Sequence, residues 1–574
     1  GIKLLCQAFL NYSRIQFFFH LFCENEKPRH IYITEDILTI MRIFSFSPFG
    51  YEGSLVSVEV DLRRGIPAVD IVGLADGAVK ESRERMRSAI TNSGFEFPAE
   101  RVLISLSPAD LKKEGAGFDL AVAVAVLGAK ENSRETNEDD SIWTAESPED
   151  TGDSVLVMGE LELNGNIRPV RAVHAAVCTA CAGGIRKCIV PEANAEEARE
   201  VSGMRVFGAQ TLSEAFCALN DSKAFTQKER SGSSNALAGI PEGSVNIEGV
   251  LFAPVSPELD FKEVRGQTKL IRALQIAAAG GHNILAYGPP GCGKTLCMQR
   301  FPSIIPLLTP DEAQSVTRIY SIAGLLPHNS PSVRTAPFRQ PHQTATIEGM
   351  CGGGPKCTPG EISLAHNGGL FLDEAAEFRT SVLQMLRVPL ETASITLSRA
   401  GRTSVFPADF QLLMSTNPCP CGNYGSTDKL CLCSARAVEQ YWKKFSSPLL
   451  DRIELRVRAD NNAGENTKSV SSEELRVQVA RAVSTQRKRQ GKRNSKLNAS
   501  EIVKFCRCTD GAKKILNEAQ EKLGFSPRAA SLCMKVARTV ADMSEKFCID
   551  EECMQEAVDF RKAEGNALTD MGML

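Results

Sequence analysis

Ile284-Leu285-Ala286-Tyr287-Gly288-Pro289-Pro290-Gly291-Cys292-Gly293-Lys294-Thr295 decides how the centre of this 574-residue chain folds. The four apolar residues read as a short buried strand. The eight that follow satisfy G-x-x-x-x-G-K-[ST], a loop that leads from a strand into a helix. Gly288, Gly291 and Gly293 let backbone N–H groups turn inward around phosphate oxygens, at the positive end of the following helix. Pro289, Pro290 and Cys292 complete the loop. Lys294 would neutralise β- and γ-phosphates, and Thr295 would hold Mg2+.

A nucleotide site needs a second metal-holding carboxylate at a strand end. Gly369-Leu370-Phe371-Leu372-Asp373-Glu374 supplies an apolar strand that ends in paired acids. Asp373 would coordinate Mg2+ through water, and Glu374 would polarise the attacking water. A third apolar run, Phe410 to Thr416, ends at Asn417, whose amide could orient the same water. Strand and helix patterns alternate from about Phe252 to Val457, the signature of an α/β domain with a parallel sheet.

The rest of the chain divides around this centre. Its length suggests three or four domains. An N-terminal domain covers 41–220, where alternating apolar runs between Met41 and about Leu127, such as Leu55 to Val60, read as strands. Lys80 to Ile90 reads as a helix. Residues 130–153 form an acidic insertion, and order resumes from Val155 as strand, helix, strand and helix. Residues 221–250 are linker-like, 251–458 form the α/β core, and 459–574 are helix formers. Residues 1–40 differ in character from everything after Met41. They are expected to lie upstream of the true start, with an appended targeting segment as the other reading.

With 66 basic against 69 acidic residues, any contact with nucleic acid must be local. No run approaches the roughly 18–20 apolar residues of a membrane span, so no membrane partner is expected. The 19 cysteines, odd in number and scattered, suit a reducing cytoplasm rather than a disulfide framework.

Cys419-x-Cys421 and Cys431-x-Cys433 could close a tetrahedral structural Zn2+ site; four free thiols are the alternative. Arg487 to Lys496 carries six positive charges in ten residues. That run reads either as a solvated helix end or as a contact for a phosphate backbone.

Beyond these features, several stretches resemble the magnesium-chelatase-like branch of the AAA+ ATPases, and within it the ComM/YifB family of bacterial proteins. They are Gly266-Gln267, His282-Asn283, Pro359 to His366, Asn417 to Gly422 and Leu449 to Ile453. Gly65 to Pro67, Ile71 to Leu74, Lys80 to Ser82 and Pro108 to Gly115 match the same family. The resemblance runs from about Met41 to the C-terminus.

It implies a P-loop AAA+ core with a C-terminal helical lid, ATP with Mg2+ as cofactors, and a homo-hexameric ring. It makes Arg452 an arginine finger that reaches a neighbour's γ-phosphate, and Arg528 a sensor arginine of the lid. It further implies a DNA-remodelling ATPase, a helicase promoting branch migration in homologous recombination and natural transformation. Competing readings are the motor subunit of a metal chelatase and a nucleotide-dependent assembly scaffold.

Met158 to Gly165, Ala182 to Ile185 and Ile189 to Glu192 resemble an N-terminal Lon-protease-like α+β domain. The Ser–Lys dyad of that fold is missing, because Glu114 to Asp119 contains no serine and the lysine position reads His174. No peptidase activity is expected. Gly349 to Lys356 and Ser394 to Arg402 (with Arg399) resemble family loops that project into the ring pore. His342-Gln343 stands where the family usually has two histidines.

Overall fold

Alternation builds the first sheet. In the strand Ser54–Arg63, Val56, Val58 and Val60 are buried, while their neighbours are half-buried. Arg101–Ser107 repeats the pattern with Val102, Ile104 and Leu106, and the two strands pair antiparallel with Val60 opposite Ile104. The computed structural model describes residues 41–135 (except 75, 110, 112 and 114), 154–220, 224–225, 239–326, 332–354, 357–399, 402–424, 429–459 and 469–562. Residues 1–40, most of the acidic stretch and most of 221–238 lie outside the described residues.

The sheet has seven strands. Their order is Val69–Val72, Arg101–Ser107, Ser54–Arg63, Met41–Ser47, Val155–Val157, Lys187–Pro191 and Arg205–Ala209. It is mixed, with Ser54–Arg63 antiparallel to both its neighbours and the last four strands parallel.

The last apolar run of this region departs from the strand reading. Asp119–Glu135 is one α-helix, with every side chain from Leu120 to Leu127 buried. Ala-Val alternation over apolar residues alone carries no face information. Alanine favours the helix, and burial all round permits it. This helix takes in residues 130–135 of the acidic stretch; 136–153 are outside the described residues. The expected helix at 80–90 runs from Gly77 to Asn92, capped by the Asp76 carboxylate on the Val79 N–H at 2.8 Å.

The second sheet is entirely parallel. Five strands lie in the order Phe338–Arg339, Gly369–Leu372, Gln411–Thr416, Ile284–Tyr287 and Leu455–Arg458. The strand that feeds the phosphate loop is therefore internal, and the chain crosses over it between the third and fifth strands of this order. Such an arrangement opens its ligand crevice beyond the carboxyl ends of the strands. All residues of the three central strands are buried, as both-faces-covered parallel strands require.

Five helices follow: Ser472–Gln490, Ala499–Phe505, Asp510–Leu523, Pro527–Met543 and Glu551–Arg561. Their apolar faces merge with the helix Thr268–Gly280 into one hydrophobic cluster spanning Val250 to Val558. Polar bonds stitch the same seam. Arg272 donates to Glu556 at 2.8 and 3.2 Å, and His282 Nε2 meets Thr539 Oγ1 at 2.8 Å. No helix among the described residues is long and apolar enough to cross a membrane.

Candidate nucleotide site

Three glycines of the phosphate loop are required for two different reasons. Gly291 and Gly293 adopt φ of +81° and +85° with open space around them, so conformation alone excludes a side chain there. At Gly288 the limit is space, since a Cβ would fall 2.1 Å from the Ala459 carbonyl oxygen. Beyond the loop, the helix Lys294–Gln299 begins on Gly293. Lys294 Nζ folds back to donate to the Gly288 and Pro289 carbonyls at 2.8 and 2.9 Å. It also reaches Asn417 Oδ1 at 3.3 Å. Burial holds its pKa below the usual lysine value.

Sheet order brings the other expected groups to the same edge. Thr295 Oγ1 donates to Asp373 Oδ1 at 3.0 Å, and that oxygen also accepts from the Ser415 hydroxyl and, at 3.1 Å, from the Glu374 N–H. Two hard oxygens from facing elements form a donor set that suits Mg2+. Glu374 occupies the left-handed region at φ +49° and is exposed. Its Oε2 accepts from Gln343 Nε2 at 2.6 Å.

Lys294, Thr295, Asp373, Glu374 and Asn417 thus gather around one loop. Ser415 and Gln343 join them. Ser415 carried a faint signal, as a hydroxyl two residues before Asn417 after the apolar run Leu412 to Met414. Gln343 was visible only as a departure from a family pattern.

Arg452 and Arg528 form a separate group. Both guanidiniums bind one carboxylate oxygen, Glu391 Oε1, with Arg452 Nη2 at 2.5 Å and Arg528 Nη1 at 3.0 Å. Arg452 also donates to the Pro448 carbonyl, and its buried Nε has no partner. First Arg452 and then Arg528 hold the Glu391 carboxyl below its usual range. The three side chains line a cavity of about 340 Å³ shared with Glu454, Lys496 and Lys535. Among the described residues, neither arginine has a hydrogen bond or ion pair to the phosphate loop.

Comparison with known proteins fits both halves of this geometry. The family model described as "Magnesium chelatase, subunit ChlI" matches residues 260–467, which hold the loop, the acid pair and Arg452. "Subunit ChlI of Mg-chelatase" matches residues 58–194, and "Magnesium chelatase, subunit ChlI C-terminal" matches 469–561. The chain is 35% identical over 533 residues to Competence protein ComM of Haemophilus influenzae, covering 91% of this chain and 98% of that protein. It is 36% identical over 533 residues to Uncharacterized protein YifB of Escherichia coli, covering 91% and 97%. An uncharacterized protein of Mycobacterium tuberculosis is 35% identical over 536 residues, covering 92% and 99%.

The chain belongs to the ComM/YifB family of magnesium-chelatase-like AAA+ ATPases.

In this ComM/YifB-family chain, most of the basic run at 487–496 serves the fold. Arg489 makes a two-pronged ion pair with buried Asp542 at 2.6 and 2.9 Å, which also binds Arg538 and Asn494. Lys492 pairs with Glu501 at 2.7 Å, Lys496 with Asp409, and Arg493 donates to the Ala278 carbonyl at 2.8 Å. Lys488 is exposed, and among the described residues no side-chain hydrogen bond or ion pair engages it or Arg487. The run is thus a partly consumed helix end, nearer to its structural reading than to an open cationic patch.

The two pore-loop candidates fare differently. Ser394–Arg399 and Arg402–Pro407 form an antiparallel hairpin, and residues 400–401 lie outside the described residues. Beside the turn of this hairpin, the Arg402 guanidinium lies 3.6 Å from the centroid of the Phe49 ring. The N-terminal domain therefore grips the hairpin directly, and Tyr51 N–H donates to Ser404 Oγ at 3.0 Å. Gly352–Gly353 pairs with Thr358–Pro359, while Lys356 lies outside the described residues.

In the N-terminal domain, Asp119 is buried and bound by Arg85 at 2.8 and 3.0 Å. His174 is buried with Nε2 unpartnered, and burial lowers its pKa to about 4, so its ring stays neutral at neutral pH. Among the described residues, no hydrogen bond links His174 to the turn at 115–119.

The four cysteines of the insertion do come together. Their sulfurs all lie within 4.8 Å of one another, with Cys419 buried, Cys421 exposed, and Cys431 and Cys433 half-buried.

Proposed function

We propose that this protein is a Mg2+-dependent ATPase that assembles as a homo-hexameric ring and remodels DNA. In this reading it is a helicase that promotes branch migration during homologous recombination and natural transformation. The observation that carries the ring is the separation of the two half-sites. Binding and water-activating groups surround the phosphate loop, while the expected finger Arg452 and the expected sensor Arg528 sit together on Glu391. A guanidinium held away from its own loop on Glu391 is free to serve a neighbour's, and rings supply neighbours in repeating head-to-tail register.

The residues then divide the work. Lys294 exchanges the carbonyls of Gly288 and Pro289 for phosphate oxygens. Thr295 and Asp373 would hold Mg2+, which spreads the phosphate charge when bound. Glu374 leaves Gln343 to take a proton from the attacking water, and Asn417 orients that water. Arg452 and Arg528 leave Glu391 for the phosphate of the adjoining subunit. The five C-terminal helices act as the lid. The N-terminal domain is a Lon-like fold without its dyad, and its grip on the 394–407 hairpin suits substrate handling. The protein works in the cytoplasm, which its many thiols suit.

Support for DNA as the substrate is the competence role in the name of the Haemophilus relative. The test is ATP turnover with and without branched DNA, together with strand unwinding, both lost in Glu374→Gln. Turnover indifferent to every DNA form sinks the DNA reading. The chelatase descriptions of all three matched models favour a second reading, a motor for metal insertion. Turnover that answers a porphyrin-loading partner instead of DNA would select it.

A further inference from the structure

The cysteine knuckle stands directly behind the phosphate loop. Sulfur–sulfur distances are 3.4 Å for Cys419 to Cys421, 3.5 Å for Cys421 to Cys431 and 3.7 Å for Cys419 to Cys431. Disulfides would bring a pair to about 2.05 Å. Four thiolates about 2.3 Å from one tetrahedral Zn2+ lie about 3.8 Å apart, close to the spacing here. Four sulfurs also leave no open position, so the geometry is that of a structural site.

What the knuckle touches gives that site a task. Gly422, one residue after the second cysteine, takes φ +79°, and a Cβ there would lie 2.6 Å from Pro290 Cδ in the phosphate loop. Its other side is anchored to the core. Cys419 is buried in the cluster that contains Tyr287, the last residue of the loop's strand, and Trp442. The Trp442 indole N–H donates to the Pro418 carbonyl at 3.0 Å, and Tyr441 Oη meets Thr416 Oγ1 at 2.9 Å. Asn417, which reaches Lys294, opens the same segment.

We propose that Cys419, Cys421, Cys431 and Cys433 bind one Zn2+ as thiolates, and that the closed knuckle buttresses the phosphate loop through Gly422 and Pro290. Metal loading then sets how tightly the loop holds its nucleotide. The second half rests on the nucleotide reading given above; the metal half does not. Without the ion, the loop loses the support that keeps it in its binding shape.

The test uses the full chain. Zinc is quantified by mass spectrometry in wild type and in the Cys431→Ser/Cys433→Ser double variant. Mg-ATP affinity is measured by calorimetry in both, and in Gly422→Ala, which keeps all four thiols. Far-UV dichroism and a thermal melt confirm that each variant is folded. One zinc per wild-type chain, lost in the double variant, is expected. Nucleotide affinity should fall about tenfold in the zinc-free protein and in zinc-loaded Gly422→Ala, the scale of one lost preorganised loop. Zinc-free wild type overturns the metal site. Affinities within about twofold of wild type in both variants overturn the buttress. Wild type that holds zinc but no nucleotide overturns the buttress and the nucleotide reading together, with the metal site left standing.

Discussion

The phosphate-loop pocket and the Glu391 arginine cluster are both assembled from distant parts of the chain, yet they differ in completeness. In the pocket, the expected groups already engage one another or their loop. Lys294 is poised over the loop, Thr295 meets Asp373, and Glu374 is held by Gln343. In the cluster, two guanidiniums crowd a single carboxylate oxygen, and Arg452 Nε is buried without a partner. Two donors on one acceptor mark a site short of negative charge. On the reading proposed above, the pocket is where a triphosphate enters, and the cluster awaits one that another subunit brings.

The comparison can be broken most severely at Arg452. Arg452→Ala should reduce ATP turnover by about 10³-fold or more, the usual worth of an arginine finger, while Mg-ATP affinity stays near wild type. Phosphate-release kinetics beside calorimetry check this, and a variant that turns over normally would make the cluster a surface salt bridge. A smaller change should appear at Gln343→Ala, which frees Glu374 inside the pocket. Turnover without DNA should rise a few-fold, because the solvent-exposed charge-assisted bond no longer restrains the carboxylate. Unchanged basal turnover would show that the 2.6 Å contact restrains nothing.

How much could be read from the sequence follows the same division. The pocket was legible because its chemistry dictates its spelling. Inward-turned N–H groups need glycine at 291 and 293, a metal needs an acid at a strand end, and sheet order brings Asn417 alongside. Glu391 was not legible, since an isolated glutamate 137 residues from Arg528 carries no signal of what it holds. The basic run left two readings open for a related reason. Solvated and paired arginines are spelled alike, and Arg489 finds its carboxylate 53 residues away in Asp542. In the first sheet, alternation identified true strands where polar residues intervened. It failed at 120–127, where an unbroken apolar run erased the difference between periods of 2 and 3.6. The cysteine pairs announced their grouping by spacing, but the contact of Gly422 with Pro290 needed three dimensions.

Mixing two inactive variants tests the shared site most directly. Glu374→Gln keeps its arginines and lacks the water-activating carboxylate; Arg452→Ala keeps the carboxylate and lacks the finger. Each alone should be nearly silent in ATP turnover. Co-assembled in equal amounts, they should recover roughly a quarter of wild-type turnover, because random order in a ring pairs an intact pocket with an intact arginine at that frequency. Turnover that stays at the level of the separate variants, although subunit exchange is demonstrated, would contradict a site built across two chains.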